Sequence, residues 1–272
     1  MMEFDIHRKK TFNGTAALYD ACRPSYPRAL IDDACSLAGI TDGARLLEIG
    51  AGTGKATTLF AEYGCLIDAV EPGKDLAQIL ISNCAQWPRI NVHTKEFESF
   101  SCSPNAYDLV YSAQAFHWID PSVRMEMTAR ALKPDGALAL LYNFSPKPDD
   151  QVISDIAVEI ARRTGNEVNS LWDYSKDINR WKNEINTCGF FNTCEIREYK
   201  WKMEFTAEQY AGLYLTFSDF LSLEKKQQET LYEYILDTVN ANGGNVVKPY
   251  LSVLFYAQKK KGAETPEGGA NI

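Results

Sequence analysis

The chain has 272 residues, 45% of them hydrophobic and 24% charged, which is enough apolar material for a substantial core. A formal net charge of −8 argues against general affinity for nucleic acid or anionic membrane, since both require a basic face. Seven cysteines without a C-x-x-C pair, and only three histidines, argue against a disulfide framework and a zinc site, so reduced thiols and no metal are expected.

The first fourteen residues, MMEFDIHRKKTFNG, lack the apolar centre of a signal peptide, and no apolar run reaches the ~18–20 residues of a membrane span. A cytoplasmic protein is the expectation. From residue 45 short β-rich runs alternate with helical ones. RLLEIG (45–50) reads as a buried strand and KATTLFAEYG (55–64) as a helix closed by Gly64. CLIDAVEP (65–72) is a second strand, and KDLAQILISNCAQ (74–86) a helix. INVHTKEF (90–97) and YDLVYSAQAF (107–116) are strands three and four, with a helix at 120–132 after them. KPDG (133–136) reads as a turn and ALALLYNF (137–144) as strand five. This rhythm predicts a parallel α/β sheet with helices on both faces.

Beyond Phe144 the pattern changes. Helices are predicted at 151–163 and 176–191, a strand at 193–205, a helical stretch at 207–241 and a last strand at 248–260 that starts at Pro249. The expected architecture is a doubly wound, Rossmann-like sheet of about seven strands with a mostly helical cap. The core takes 1–144, 176–206 and 246–260, the cap takes 145–175 and 207–245, and 261–272 is a disordered tail.

Three glycines at 50, 52 and 54 follow Glu48, giving E-x-G-x-G-x-G between the first strand and the first helix. Glycines there let a ligand approach bare main chain at a helix N-terminus. A phosphate loop fails, because Ile49 stands where its first glycine belongs and Ala56 where it needs Ser or Thr. The dinucleotide pattern G-x-G-x-x-G matches at Gly50 and Gly52 and then meets Lys55.

LLEIGAGTGKAT (46–57) resembles the first motif of class I S-adenosylmethionine-dependent methyltransferases. Glu71, 21 residues past Gly50, resembles their ribose-binding acid, with Pro72 beside it. KEFESF (95–100) resembles their adenine segment, Phe97 by contact and Glu98 by the exocyclic amine, although HTK (93–95) replaces the usual Gly-Asp before it. YDLVYSAQAFHW (107–118) and RALKPDGALALLYN (130–143) resemble the motifs of strands four and five. ALYDACRPSYP (17–27) is similar to the lid of relatives of the trans-aconitate methyltransferases, within the methyltransferase type 11 group. The likeness covers residues 10–145 well and the rest in outline.

It implies an enzyme that takes S-adenosyl-L-methionine as cofactor and a small-molecule acceptor, with a carboxylate as the acceptor suggested by the trans-aconitate group. Tyr19, Arg23, Glu48, Gly50, Ala51, Gly52, Gly54, Glu71, Pro72, Phe97, Glu98 and Gln114 are the implied cofactor-binding residues. Arg23 either clamps the cofactor carboxylate or decorates the surface. His117 is the catalytic candidate: a base, an orienting group for the acceptor, or a structural imidazole. The aromatics Trp172, Tyr174, Tyr210, Tyr214, Phe217 and Phe220 either form a cap core or line an acceptor pocket. A nicotinamide-dependent oxidoreductase and a catalytically silent cofactor-binding protein are the rival readings.

Overall fold

The structure is a computed structural model that describes residues 16–165, 167 and 172–262. The readings of the first fifteen residues and of the tail from 263 lie outside it. Seven strands form one mixed sheet in the order β3-β2-β1-β4-β5-β7-β6. They are β1 (Arg45–Ile49), β2 (Leu66–Val70), β3 (Ile90–His93), β4 (Tyr107–Ala113), β5 (Leu132–Phe144), β6 (Glu195–Thr206) and β7 (Asn245–Gln258). The first five run parallel, whereas β7 is antiparallel to both β5 and β6. The parallel pairing read from the alternation over 45–144 is what β1 to β5 adopt, and the antiparallel pairing begins with the strands beyond it.

β1 buries Leu46, Leu47, Glu48 and Ile49 in succession, as a central parallel strand with two covered faces must. One face packs Leu47, Ile49, Val110, Leu138 and Leu140 with Trp181 and Ile185 of a helix, α7 (Ser175–Thr187). The other packs Leu46, Ile67, Leu109 and Tyr111 beneath α2 (Arg28–Leu37), α3 (Thr57–Ala61) and α4 (Lys74–Asn83). α3 is shorter than the predicted 55–64, because the glycine turn runs on to Ala56.

KPDG is not a turn. It lies inside β5, where Tyr107 pairs with Leu132 and Leu109 with Ala137, so six residues of β5 answer three of β4. Pro134 and Asp135 are pushed into solvent by this bulge, which explains the turn-like composition. β7 also starts earlier than predicted. Pro249 lies within it and pairs with Lys202 on β6, while pairing with β5 extends only to Leu251. The proline thus sits where β7 has a neighbour on one side.

A third apolar cluster stands at the end of β6 and the start of β7. It joins Phe205, Val246 and Tyr250 to α6 (Gln151–Thr164), α8 (Ala207–Tyr214), α9 (Ser218–Leu221) and α10 (Lys225–Ala241). α6 begins at Asp150, whose carboxylate accepts from the Val152 N–H at 2.8 Å, and ends at left-handed Gly165. Thr206 closes β6 and caps α8 in a reciprocal box with Gln209. Tyr210 and Phe220 are buried in this cluster, and Cys22 of α1 (Ala16–Cys22) joins it.

Candidate functional site

The carboxyl ends of β1, β2, β4 and β5 open onto a cavity of about 320 Å³, which the start of β7 and the cap helices close on the far side. A smaller cavity of about 40 Å³ adjoins it under the glycine turn. This edge of an open α/β sheet is where ligand crevices form.

The glycines do different work. Gly50 has φ +71°, and a Cβ there would lie 2.3 Å from the Cβ of Ala115, so β1 and the loop after β4 approach as closely as bare main chain allows. Gly52 lines both cavities, and a Cβ there would meet only the Tyr19 ring, at 4.0 Å. Gly54 lines neither; a Cβ there would strike Leu80 of α4, so its role is packing.

Glu71 follows β2 and is 6% exposed. Its Oε2 accepts from the Gly52 N–H at 2.8 Å and its Oε1 from the Gly73 N–H at 2.7 Å. The main chain thereby fixes the orientation of the carboxylate beside the glycine turn. Pro72, Leu76 and Phe97 complete this side of the larger cavity. Glu98 does not line it; its Oε1 accepts from the Asp120 N–H at 3.1 Å and so supports the loop after β4.

Glu48 is fully buried at the smaller cavity together with Ala51. Its Oε2 accepts from Thr57 Oγ1 at 2.5 Å and from the Tyr111 hydroxyl at 2.9 Å. Oε1 has no hydrogen-bond partner among the described residues. Burial pushes the carboxyl up to about 8, against the opposing effect of those two hydroxyls.

Tyr19 and Arg23 of the lid line both cavities. Arg23 donates from Nε to Thr216 Oγ1 at 2.8 Å and from Nη2 to Thr216 O at 2.7 Å, and its guanidinium lies over Phe217. It is not a surface decoration; it latches the lid to the cap. Gln114 has φ +57°, an unusual conformation for a side chain of its size. Its Nε2 donates to Asn143 O at 2.8 Å, tying the ends of β4 and β5 together at the cavity.

His117 follows in a 3-10 turn (Phe116–Trp118), with Nδ1 3.4 Å from the Tyr142 hydroxyl. Burial, reinforced by Arg180, Arg124 and Arg23, drives its pKa down to about 3. The ring is neutral across the physiological range. It can donate or accept a hydrogen bond but retains little basicity. Arg124 underlies this turn. It donates from Nη1 to Phe116 O at 3.2 Å, and from Nε and Nη2 to Glu184 on α7 at 2.6 and 2.5 Å.

All the predicted site residues except Gly54 and Glu98 therefore line one cavity or the other. The cavity also collects residues that sequence reasoning passed over: Asn143 near the end of β5 and Ser145 just after it, Arg180 and Trp181 on α7, and Lys248 and Tyr250 on β7. Asn143 was accessible to the rule that strand carboxyl ends carry sites. Lys248 and Tyr250 were hidden because β7 runs backwards, so its beginning shares that edge.

Comparison with known proteins agrees with this geometry. A methyltransferase domain model matches residues 19–205. An uncharacterized methyltransferase of Mycobacterium tuberculosis is 35% identical over 133 residues, 49% of this chain and 52% of the relative. An uncharacterized methyltransferase-like protein of Schizosaccharomyces pombe is 33% identical over 135 residues, 49% and 52% of the two chains. The chain thus spans about half the length of the curated relatives it matches. Among solved structures, one from Anaeromyxobacter dehalogenans, provisionally assigned as a type II methyltransferase, superposes with a TM-score of 0.63 at 18% identity, covering 87% of this chain and 97% of that one. An S-adenosylmethionine-dependent methyltransferase of Geobacter sulfurreducens, solved with S-adenosyl-L-homocysteine, gives 0.55 at 13% identity, covering 95% and 100%. The chain belongs to the methyltransferase domain family, on the Rossmann-like α/β fold that uses S-adenosylmethionine as methyl donor.

Proposed function

We propose that this protein methylates a small-molecule acceptor bearing a carboxylate, forming a methyl ester and releasing S-adenosylhomocysteine. The observation that carries the reading is the union of bare main chain at Gly50 and Gly52 with a main-chain-oriented Glu71 at one cavity. Those residues fit the cofactor: a side chain at Gly52 would narrow the cradle, one at Gly50 would displace the loop at Ala115, and the buried Glu48 keeps one oxygen without a partner among the described residues beside them. In this reading Glu71 receives the ribose hydroxyls, a charge-assisted contact for which both oxygens are already aimed. Pro72, Leu76 and Phe97 take the adenine, and Tyr19, Ala51, Gln114 and Arg23 enclose the amino-acid arm. Glu98 acts from behind, through the loop that it supports.

When bound, S-adenosylmethionine supplies an electrophilic methyl group on a sulfonium. An ionised carboxylate needs no proton removed, so the neutral imidazole of His117 suits an orienting role better than that of a base. The remaining residues contribute by alignment and by exclusion of water, effects worth roughly 7–11 kcal/mol when alignment is good. The aromatic lining of Tyr142, Phe144 and Trp181 supplies the water-excluding wall.

The test has two parts. S-adenosylhomocysteine is expected to stabilise the protein in a thermal-shift assay where NAD does not, and the reverse result would overturn the reading in favour of an oxidoreductase. Labelled methyl transfer to small carboxylic acids is then expected to give base-labile esters. Cofactor binding with no labelled product across acids, amines and phenols would leave a silent binding protein.

A further inference from the structure

The larger cavity has an end that the smaller one does not share. Lys248, Tyr250, Ser145, Arg180, Trp181 and Phe217 line only the larger cavity, away from Glu48, Ala51 and Lys55 under the glycine turn. Lys248 donates from Nζ to Ser145 Oγ at 2.8 Å, and its ammonium lies 5.0 Å from the centre of the Tyr250 ring. No carboxylate among the described residues pairs with it. Tyr250 is 4% exposed, and its hydroxyl has no hydrogen-bond partner among the described residues. A buried hydroxyl left without a partner is costly, so a ligand that accepts from it gains there.

The charges around this end do not cancel. Arg180 lines it and has no carboxylate partner among the described residues, while Asp177, one turn earlier on α7, contributes a single negative charge. Arg23 is turned to Thr216 and Glu71 to the glycine turn. The walls are flat and apolar: Tyr142 stacks on Trp181 at 5.3 Å and on Phe144 at 6.1 Å, and Phe144 stacks on Tyr174 at 5.4 Å.

We propose that Lys248 and Tyr250, with Ser145 steadying the lysine, form a carboxylate-binding subsite that selects a planar, largely apolar acid as the methyl acceptor. Lys248 supplies the charge and the Tyr250 hydroxyl the directional donor, a pairing that a neutral isostere of the acid cannot satisfy. The groups hold the right protonation states for this at neutral pH. Burial lowers Lys248 to about 8, which leaves it mostly cationic at pH 7, and raises Tyr250, which keeps it a donor. The proposal rests on the methyl-transfer reading and names the residues that choose its acceptor.

The probes are trans-cinnamate and its neutral isostere cinnamamide, titrated calorimetrically at pH 7 into protein saturated with S-adenosylhomocysteine. Cinnamate is expected to bind at least tenfold more tightly than cinnamamide. Lys248→Gln and Tyr250→Phe should each weaken cinnamate at least fivefold, with cinnamamide and S-adenosylhomocysteine affinities within twofold of the wild type. Lys248→Arg should recover part of the loss. Wild-type circular dichroism and a cooperative urea transition certify that each variant is folded. Equal binding of the two probes, no binding of cinnamate, or unaltered cinnamate affinity in Lys248→Gln would overturn the subsite. A loss of S-adenosylhomocysteine affinity in the folded Lys248→Gln variant would reassign the lysine to the cofactor. Failure of wild-type protein to bind S-adenosylhomocysteine would strike the methyl-transfer reading instead.

Discussion

Glu71 is held by the main chain at the place proposed for the ribose. Its oxygens accept from Gly52 and Gly73, which fixes their direction beside the glycine turn. Glu71→Ala is expected to weaken S-adenosylhomocysteine binding by at least tenfold in calorimetry, in keeping with charge-assisted contacts of ~2–3 kcal/mol. Unchanged affinity would remove it from the ribose. His117 gives a pH signature. Its folded pKa of about 3 lies below the ordinary value of 6.5, so the fold favours the neutral ring. That contribution is present above 6.5 and is lost as pH falls toward 3. Between pH 7 and 5.5 the wild type should lose about 1 kcal/mol more stability than His117→Gln, measured by urea unfolding at both values. Parallel losses in the two proteins would mean that the ring is solvated and protonates freely.

Among the elements, α7 is the support for the turn that bears His117. Arg124 is 1% exposed, pairs with Glu184 through two nitrogens and also donates to Phe116 and Ile119 carbonyls. Removing one member of such a pair strands a buried charge. Arg124→Ala should therefore cost about 3–5 kcal/mol in urea unfolding, whereas replacing both residues, as Arg124→Met with Glu184→Leu, should recover most of it. A near-neutral Arg124→Ala would show that apolar packing against Trp181 holds the turn by itself. The bulge in β5 belongs to the same scale. KPDG has turn chemistry, yet the strand carries it because pairing resumes at Ala137 and the surplus residues can face water.

For the molecule as a whole, cofactor binding and stability are linked. At 100 times its Kd, S-adenosylhomocysteine should add about 2.7 kcal/mol, a rise in Tm of about 5 °C, provided that it binds only the folded chain. The donor half was legible in the sequence because it is local. A glycine turn follows a strand, an acid ends the next strand, and both lie within the first 72 residues in an order set by right-handed crossovers. Gly54 and Glu98 were over-read, since motif membership does not tell packing from contact; only their neighbours Leu80 and Asp120 do. The end of the cavity proposed for the acceptor was illegible for a different reason. Lys248, Tyr250 and Arg180 meet Ser145 across more than thirty residues of sequence, brought together by a strand whose direction no periodicity reveals.

Thr206 and Asn245 stand opposite one another as the last paired residues of β6 and β7. The 38 intervening residues, 207–244, therefore leave the sheet and return to it at adjacent points. Recombination could lengthen, trim or exchange that excursion without shifting the register of a single strand. Lys248 lies just inside the point of return, so such an exchange would redraw the roof over its ammonium and replace Thr216, which holds Arg23, while Gly50, Gly52 and Glu71 stay on their own strands. On the proposed reading, one graft would reset acceptor choice together with the latch on Arg23, and the strands that carry the glycines and Glu71 would keep their pairing.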